Sequence, residues 1–465
     1  MSIAHIASEK KYAHFDLYQK NPAGKWEIDF VNVYAFFTER GYYIYRTSED
    51  KWFVIRIVDK IVKRVGKKDM KDELINHIIE AKESRHMHNF FLKNISKAVS
   101  DDFVETLPER KVVFRKDRPD AMQIYYQNGI IKITGEKITQ HNYSDLDGFI
   151  WESQILKRDY YKSEEVSDFK TFCWNISNHE ESRFKSIRST LGFLLHNYKN
   201  AAYCPAVILN DEVISNNPEG GTGKGVLIKG VEQFIKTLTI EGKTFNFDKN
   251  FVYQSVNDDT KLISFQDVNK SFDFERLFSV ITDGINVEKK GKDAVHYSFN
   301  DTPKIVITTN YAIRGAGNSH DRRRHELEIS QYYNKNKTPL DEFKKMMFNQ
   351  WNEEDYYAFD SFMIECCQFY LNNGLISQVL INLPQKRLNA ETNSDFVSFM
   401  KDFNFEVTSR QTLYNNFINE FDEYLTQKYF TKQLFSKWVT IYANHHGYKC
   451  EDYVRNSIRN YKFTK

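Results

Sequence analysis

The 465 residues amount to roughly three domains at about 150 residues each, and 41% hydrophobic with 28% charged residues is enough apolar matter to exclude a wholly disordered chain. Lys and Arg (65) almost balance Asp and Glu (63), for a net charge of +2, so a nucleic-acid partner has to be sought in local patches. No window approaches 18 uninterrupted apolar residues, and the opening MSIAHIASEKKYAHFD lacks a basic-then-apolar signal pattern, which argues against membrane insertion and secretion.

Residues 1–160 read as a mixed α+β domain. FVNVYAFFTERGYYIYR (30–46) and MKDELINHIIEAKESRHMHNFFLKNISKAV (70–99) carry apolar residues at helical spacing, with Gly41 and Gly66 as breaks. From about 103 to 150 the pattern turns to strands in RKVVFRK, QIYYQNGIIKIT and GEKITQHNY, with Asn128-Gly129 as a two-residue hairpin signal. No primase-like site stands out, and Asp145 and Asp147 read as a solvated turn. A DNA-binding or oligomerisation role is expected for this domain. Residues 161–200, ending IRSTLGFLLHNYKN, read as a helical collar or linker.

Between 201 and 335 the order is that of an α/β unit. AAYCPAVILNDEV is a strand, a glycine-rich turn follows, and VLIKGVEQFIKTL is a helix. KLISFQDV and PKIVITTN are short apolar runs of the kind expected in buried parallel strands. The turn is Pro218, Glu219, Gly220, Gly221, Thr222, Gly223, Lys224 and Gly225. Glycines let backbone N–H groups turn towards a polyphosphate, the helix N-terminus adds partial positive charge, and Lys224 can reach the phosphates. The stretch departs from G-x-x-x-x-G-K-[ST] at both ends, with Pro218 for the first glycine and Gly225 for the hydroxyl residue.

Asp267 stands at the tip of KLISFQDV, one residue before its end and about 40 residues after Lys224, where a carboxylate can hold hydrated Mg2+; a solvated strand end has the same pattern. Asn310 ends PKIVITTN, placed either to orient an attacking water or to sit in a turn. Asp321-Arg322-Arg323-Arg324-His325 follows. Such a run is either a solvated basic face or the source of a guanidinium for a neighbouring subunit's γ-phosphate.

This succession of phosphate loop, acidic strand tip, basic hairpin, Asn-tipped strand and arginines resembles the superfamily 3 helicases of small DNA viruses, phages and plasmids. The likeness is to their primase-helicase proteins, it covers about 205–335, and GINVEKKGKDAVHYSFNDTPKIVITTN is its most specific stretch. It implies a P-loop NTPase core of AAA+ type, a parallel sheet with helices on both faces. It also implies ATP and Mg2+ as cofactors, and DNA and further copies of the chain as partners in a ring, with six the expected number; a primase acting as a separate chain is a further partner the resemblance leaves open. The setting it implies is replication of a phage or mobile element in a bacterial cytoplasm.

Carried over, the resemblance makes Lys224 the phosphate lysine, Asp267 the metal carboxylate, Asn310 the sensor of the γ-phosphate and one of Arg322, Arg323 and Arg324 the arginine finger, Arg323 being the first choice. Lys289, Lys290 and Lys292 would meet DNA phosphates at a β-hairpin. The residues agree on the hairpin, since INVEKKGKDAVHYSF has a charged, Gly-containing tip between two alternating strands, and 285–325 holds eight Lys/Arg against four Asp/Glu. Gln266 stands where many members have a second acid. An amide there keeps nucleotide binding and slows hydrolysis, and Gly225 removes a Mg2+ ligand. A nucleotide-gated DNA-binding initiator with weak or no ATPase activity is therefore the alternative, and a protein-remodelling ATPase a third.

Residues 336–385 read as a helical extension whose Cys366 and Cys367 are buried thiols; Cys173, Cys204 and Cys450 add no metal-like spacing. Residues 386–465 read as a small basic, winged-helix-like domain, with seven Lys/Arg against two Asp/Glu from 431 to 465. Thr431 is expected to cap a helix that Gly447 ends. Lys437, Arg455 and Arg459 are the candidate phosphate contacts; a basic tail packed on the ring is the other reading.

Overall fold

Five short aliphatic runs form the central sheet: β1 (Ala206–Asp211), β2 (Thr237–Glu241), β3 (Leu262–Val268), β4 (Lys304–Thr309) and β5 (Arg324–Ile329). They pair in the order β2-β3-β4-β1-β5, all parallel. The structure is a computed structural model describing residues 15–48, 51–213, 221–315 and 317–465. Every residue of β1 and β4 is buried, as strands covered on both faces must be.

Because side chains alternate across a strand, the sheet feeds two cores. Val207, Leu209, Val306 and Leu327 meet the helices Asp168–Ile176, Glu181–Leu195, α1 (Lys224–Glu232) and Glu353–Asn373. Ile208, Ile263, Phe265 and Ile307 meet the other core, which is closed by two short helical turns (Phe274–Leu277 and Phe278–Thr282) and by Ile285 and Val287 of a β-hairpin. Helices on both faces were expected; long ones cover only the first. Gly192 lets Glu181–Leu195 lie against Glu353–Asn373, since a Cβ there would stand 2.3 Å from the Cys366 carbonyl oxygen.

In the N-terminal region the helix read over 30–46 stops at Glu39, and Tyr42–Ser48 is a strand paired with Lys51–Val58. Alternation wins there: Tyr42 and Ile44 are buried while Tyr43 and Tyr45 are half-buried. Ile61–Arg64 continues this meander, and Ile150–Trp151 joins it in parallel. The stretch 70–99 is two helices, Lys67–Glu80 and Arg85–Ala98, and RKVVFRK forms no strand. The 123–134 hairpin turns one residue earlier than expected, at Gln127-Asn128. Asn128 instead clamps Tyr160, accepting from its N–H at 2.9 Å and donating to its carbonyl at 2.9 Å. The helix read over 226–238 ends at Glu232, and β2 takes its last residues.

The C-terminal residues fold around Phe396, Phe417, Phe435, Trp438 and Tyr461. Two helices, Arg410–Glu420 and Lys432–His445, precede an antiparallel ribbon of Lys449–Arg455 and Ile458–Thr464, with Thr408–Ser409 as a third strand. Thr431 accepts from the Leu434 N–H at 3.1 Å, and Gly447 at φ +79° ends the helix, as expected. Cys173, Cys366 and Cys367 are buried thiols. Among the described residues no helix is long and apolar enough to cross a membrane.

Candidate functional site

In an open parallel sheet the ligand crevice lies at the carboxyl ends of strands whose connections leave in opposite directions. Here β1 connects towards β2 on one side while its neighbour β4 connects past it to β5 on the other, so the switch point falls between β1 and β4. Asp211 ends β1, Asn310 follows β4, and Lys224 opens α1. Gly223, before it, has φ +103°, and a Cβ there would stand 2.8 Å from the Phe172 ring; only glycine meets both demands. Pro218, Glu219 and Gly220 lie outside the described residues. Gly221 and Gly225 are exposed, and Thr222 is buried.

Four side chains meet in that crevice. The Lys224 ammonium, 6% exposed, donates to Asp211 Oδ1, to Asn310 Oδ1 at 2.7 Å and to the Thr222 hydroxyl at 3.4 Å. Thr222 itself donates to Asp211 Oδ1 at 2.5 Å. Burial pushes the Lys224 pKa down, and the charges of Asp211 and Asp267 oppose the fall. Asn310 is held by the turn after β4, in which Thr309 Oγ1 accepts from the Tyr311 N–H at 3.0 Å and donates to the Val268 carbonyl at 3.0 Å.

At the tip of β3, Asp267 sits in a bulge at φ +53°, its N–H bonded to Thr308 Oγ1 at 2.8 Å. A left-handed non-glycine residue costs about 1–3 kcal/mol and is retained only where its surroundings enforce it. The bulge leaves Asp267 exposed and Gln266 half-buried, with the Gln266 carbonyl taken by the Gly242 N–H.

Two residues at the end of β1 carried no motif. Asp211 is 4% exposed, and its carbonyl accepts from the buried Lys386 of α2 (Leu383–Glu391). Asn210, 1% exposed, has neither amide atom partnered among the described residues. An Asn-Asp pair closing an apolar strand looks like any strand end. Helix α2 is docked by Glu328 of β5, whose fully buried carboxylate accepts from the N–H groups of Ile381, Asn382 and Leu383.

The three arginines fare differently. Arg324 is buried and paired with Asp321 at 2.6 Å and Glu326 at 3.4 Å. Arg323 donates to Ser319 and lies 4.5 Å over the Phe278 ring. Arg322 is exposed, with no side-chain hydrogen bond or ion pair among the described residues. Arg324 pairs in register with Ala206, five residues before Asp211, which is about 16 Å along the sheet at 3.3 Å per residue. All three therefore lie at the opposite end of the sheet from their own crevice.

The hairpin read from the charge pattern is formed by Gly284–Lys289 and Lys292–Ser298, with Lys290 exposed at its tip. Lys289 is half-buried and donates to Asn257 Oδ1 at 2.8 Å; the Lys292 side chain lies outside the description. Arg455 and Arg459 are exposed on the C-terminal ribbon, and Lys437 is exposed on the helix before it. Arg459 shares a groove of about 500 Å3 with Arg410, Tyr414, Lys432 and Ser436, in which Lys437 has no part.

A family model described as a family of unknown function (DUF5906) matches residues 217–324, a stretch that holds the loop, Gln266 and Asp267, the hairpin, Asn310 and the arginines. No curated protein matches the chain. Among solved structures, the chain is similar to the apo A form of the NrS-1 C-terminal region (11% identity, 93% of this chain and 99% of that one, TM-score 0.46). It is also similar to JCV helicase with a bound thiazolopyridine compound (13% identity, 50% of this chain and 64% of that one, TM-score 0.28). At these identities and TM-scores neither likeness assigns an activity to this chain.

Proposed function

We propose that the chain is an ATP-dependent DNA helicase of superfamily 3 type that works as a ring, six copies being the expected number, in the replication of a phage or mobile element. The observation that carries this reading is the meeting of Lys224, at the first residue of α1, with Asn310 in the switch-point crevice. The phosphates of ATP lie on the α1 N-terminus and the Lys224 ammonium. Asn310 orients the attacking water. The exposed Asp267 carboxylate suits hydrated Mg2+, which when bound neutralises phosphate charge.

Arg322 and Arg323, some 16 Å along the sheet from their own crevice, serve the crevice of the neighbouring copy, so a complete site needs two chains. Arg324 is committed to Asp321 and Glu326 and is left out. Lys289, Lys290 and Lys292 take DNA phosphates, and the C-terminal ribbon with Arg455 and Arg459 and the Lys437 helix add a second basic surface.

Gln266 and Gly225 favour a second reading, an initiator that binds nucleotide and DNA and hydrolyses slowly. Both readings require nucleotide binding that depends on Lys224. Fluorescent-ATP and single-stranded DNA titrations are the test. Lys224→Ala is expected to abolish nucleotide binding and leave a DNA affinity that falls steeply with salt whatever the sequence. Equal ATP binding by the wild type and Lys224→Ala would refute both.

A further inference from the structure

We infer that Asp211 is the positioning residue of the phosphate-binding lysine: it holds the Lys224 ammonium between β1 and β4 while the site is empty and yields it to phosphate when nucleotide binds. The inference rests on the nucleotide-binding reading above and adds to it a residue outside every recognised motif.

The geometry supplies the argument. A lysine has four rotatable bonds, and an ammonium taken out of water needs acceptors. Lys224 finds a carboxylate from β1 and an amide oxygen from β4, one on each side of the crevice, so its charge is aimed at the opening between the strands. The carboxylate is itself fixed. β1 is hydrogen-bonded on both sides, the Thr222 hydroxyl takes the same Oδ1, and Lys386 grips the Asp211 carbonyl. An anchored anion at the end of a long, rotatable side chain is a holder for that side chain's charge.

Phosphate competes for the same ammonium. Asn310 and Thr222 remain as neutral partners, so the lysine exchanges one anion for another without passing through an unpaired buried charge, which would be costly. The groups facing the lysine are Asp211 from β1, Asp267 from β3, Asn310 from β4, Thr222 from the loop and the Lys386 cation from α2. Asp211 is the nearest anion, so its loss leaves Asp267 alone to oppose burial and Lys386, and the proton leaves Lys224 more readily as pH rises.

The test is ATP binding by the full chain between pH 6.5 and 9.5, in EDTA and separately in Mg2+, using a fluorescent ATP analogue. Near pH 6.5 Asp211→Asn is expected to bind within about threefold of the wild type, and by pH 9 to be weaker by about tenfold or more. Asp211→Glu restores the wild-type alkaline limb. A merely structural role would lower Tm and leave the two pH profiles parallel; parallel profiles overturn the inference while the nucleotide-binding reading stands. If Asp211→Asn does not fold, Asp211→Ser removes the same charge and carries the same test. Absence of Lys224-dependent binding in the wild type would instead sink the nucleotide reading, and this inference with it.

Discussion

Gly225 and Asp211 show how single residues set what the crevice can do. A Cβ at Gly225 would meet nothing within 4 Å, so the hydroxyl that the loop lacks can be restored without a clash. Gly225→Ser is expected to raise Mg2+-dependent turnover several-fold and to gain about 0.5 kcal/mol of helix stability; an unchanged rate in a folded variant would mean that the missing hydroxyl is not what limits hydrolysis. Two buried histidines give a pH signature. Burial, with Lys304 nearby for His196, lowers the pKa of both His196 and His325 to about 4. Each is neutral, donating from Nε2 to the Arg118 carbonyl and to Thr190 Oγ1 respectively, both at 2.9 Å. Below about pH 6.5 the unfolded chain takes a proton at each site that the folded chain refuses until about pH 4. Stability therefore falls across that window, by up to about 3 kcal/mol per histidine. Chemical denaturation at pH 7 and 5 should show the drop, and His196→Gln/His325→Gln should flatten it; an equally steep drop in the double variant would count against the assignment. At this scale the places of Lys224, Asp267 and Asn310 in the fold were legible, because each stands at a fixed position relative to a strand or a glycine loop. Asp211 was not, since its place beside Lys224 comes from strand order alone.

Elements were legible where one signal acted alone. Three of the five parallel strands (β1, β3 and β4), the 284–298 hairpin and the Thr431-capped helix each carried an unambiguous pattern, whereas β5 begins inside a run that read only as basic. Errors came where two signals competed. YYIYR follows a helix and has helical-looking spacing, yet its partner is the KWFVIRIV strand at 51–58, a pairing that no local pattern states. The end of the 226–238 segment was lost to β2 for the same reason. Helix α2 is the element with the most concentrated dependence, because the Glu328 carboxylate serves two N–H groups at its start, those of Asn382 and Leu383, and that of Ile381 just before it. Helices leave those donors unsatisfied unless something caps them, and hydrogen bonds to a buried charged acceptor are worth about 1.5–3 kcal/mol each. Glu328→Gln should cost about 2–4 kcal/mol in urea unfolding and loosen the Lys386 contact with β1. A loss under about 0.5 kcal/mol would show that the sheet, not Glu328, holds α2.

For the whole molecule, the sheet register separates each chain's arginines from its own crevice by about 16 Å, so the account requires neighbouring copies to complete each site. Arg322→Ala and Lys224→Ala should each be inactive alone. Mixed, they should regain a fraction of the activity, because an Arg322-bearing Lys224→Ala copy can serve the intact crevice of an Arg322→Ala neighbour; no recovery at any ratio would place the arginine's action in its own chain or nowhere. How many copies assemble leaves no trace in one chain's residues, since ring size depends on interfaces that no local pattern encodes. The central claim is that nucleotide turnover at Lys224 is coupled to DNA at the hairpin, and steady-state ATP hydrolysis with Mg2+, with and without single-stranded DNA, tests it most directly. Turnover is expected that DNA stimulates in this chain or in Gln266→Glu, that Lys224→Ala abolishes, and whose stimulation Lys290→Glu reduces. Turnover indifferent to DNA, or stimulation untouched by both lysine changes, would contradict it.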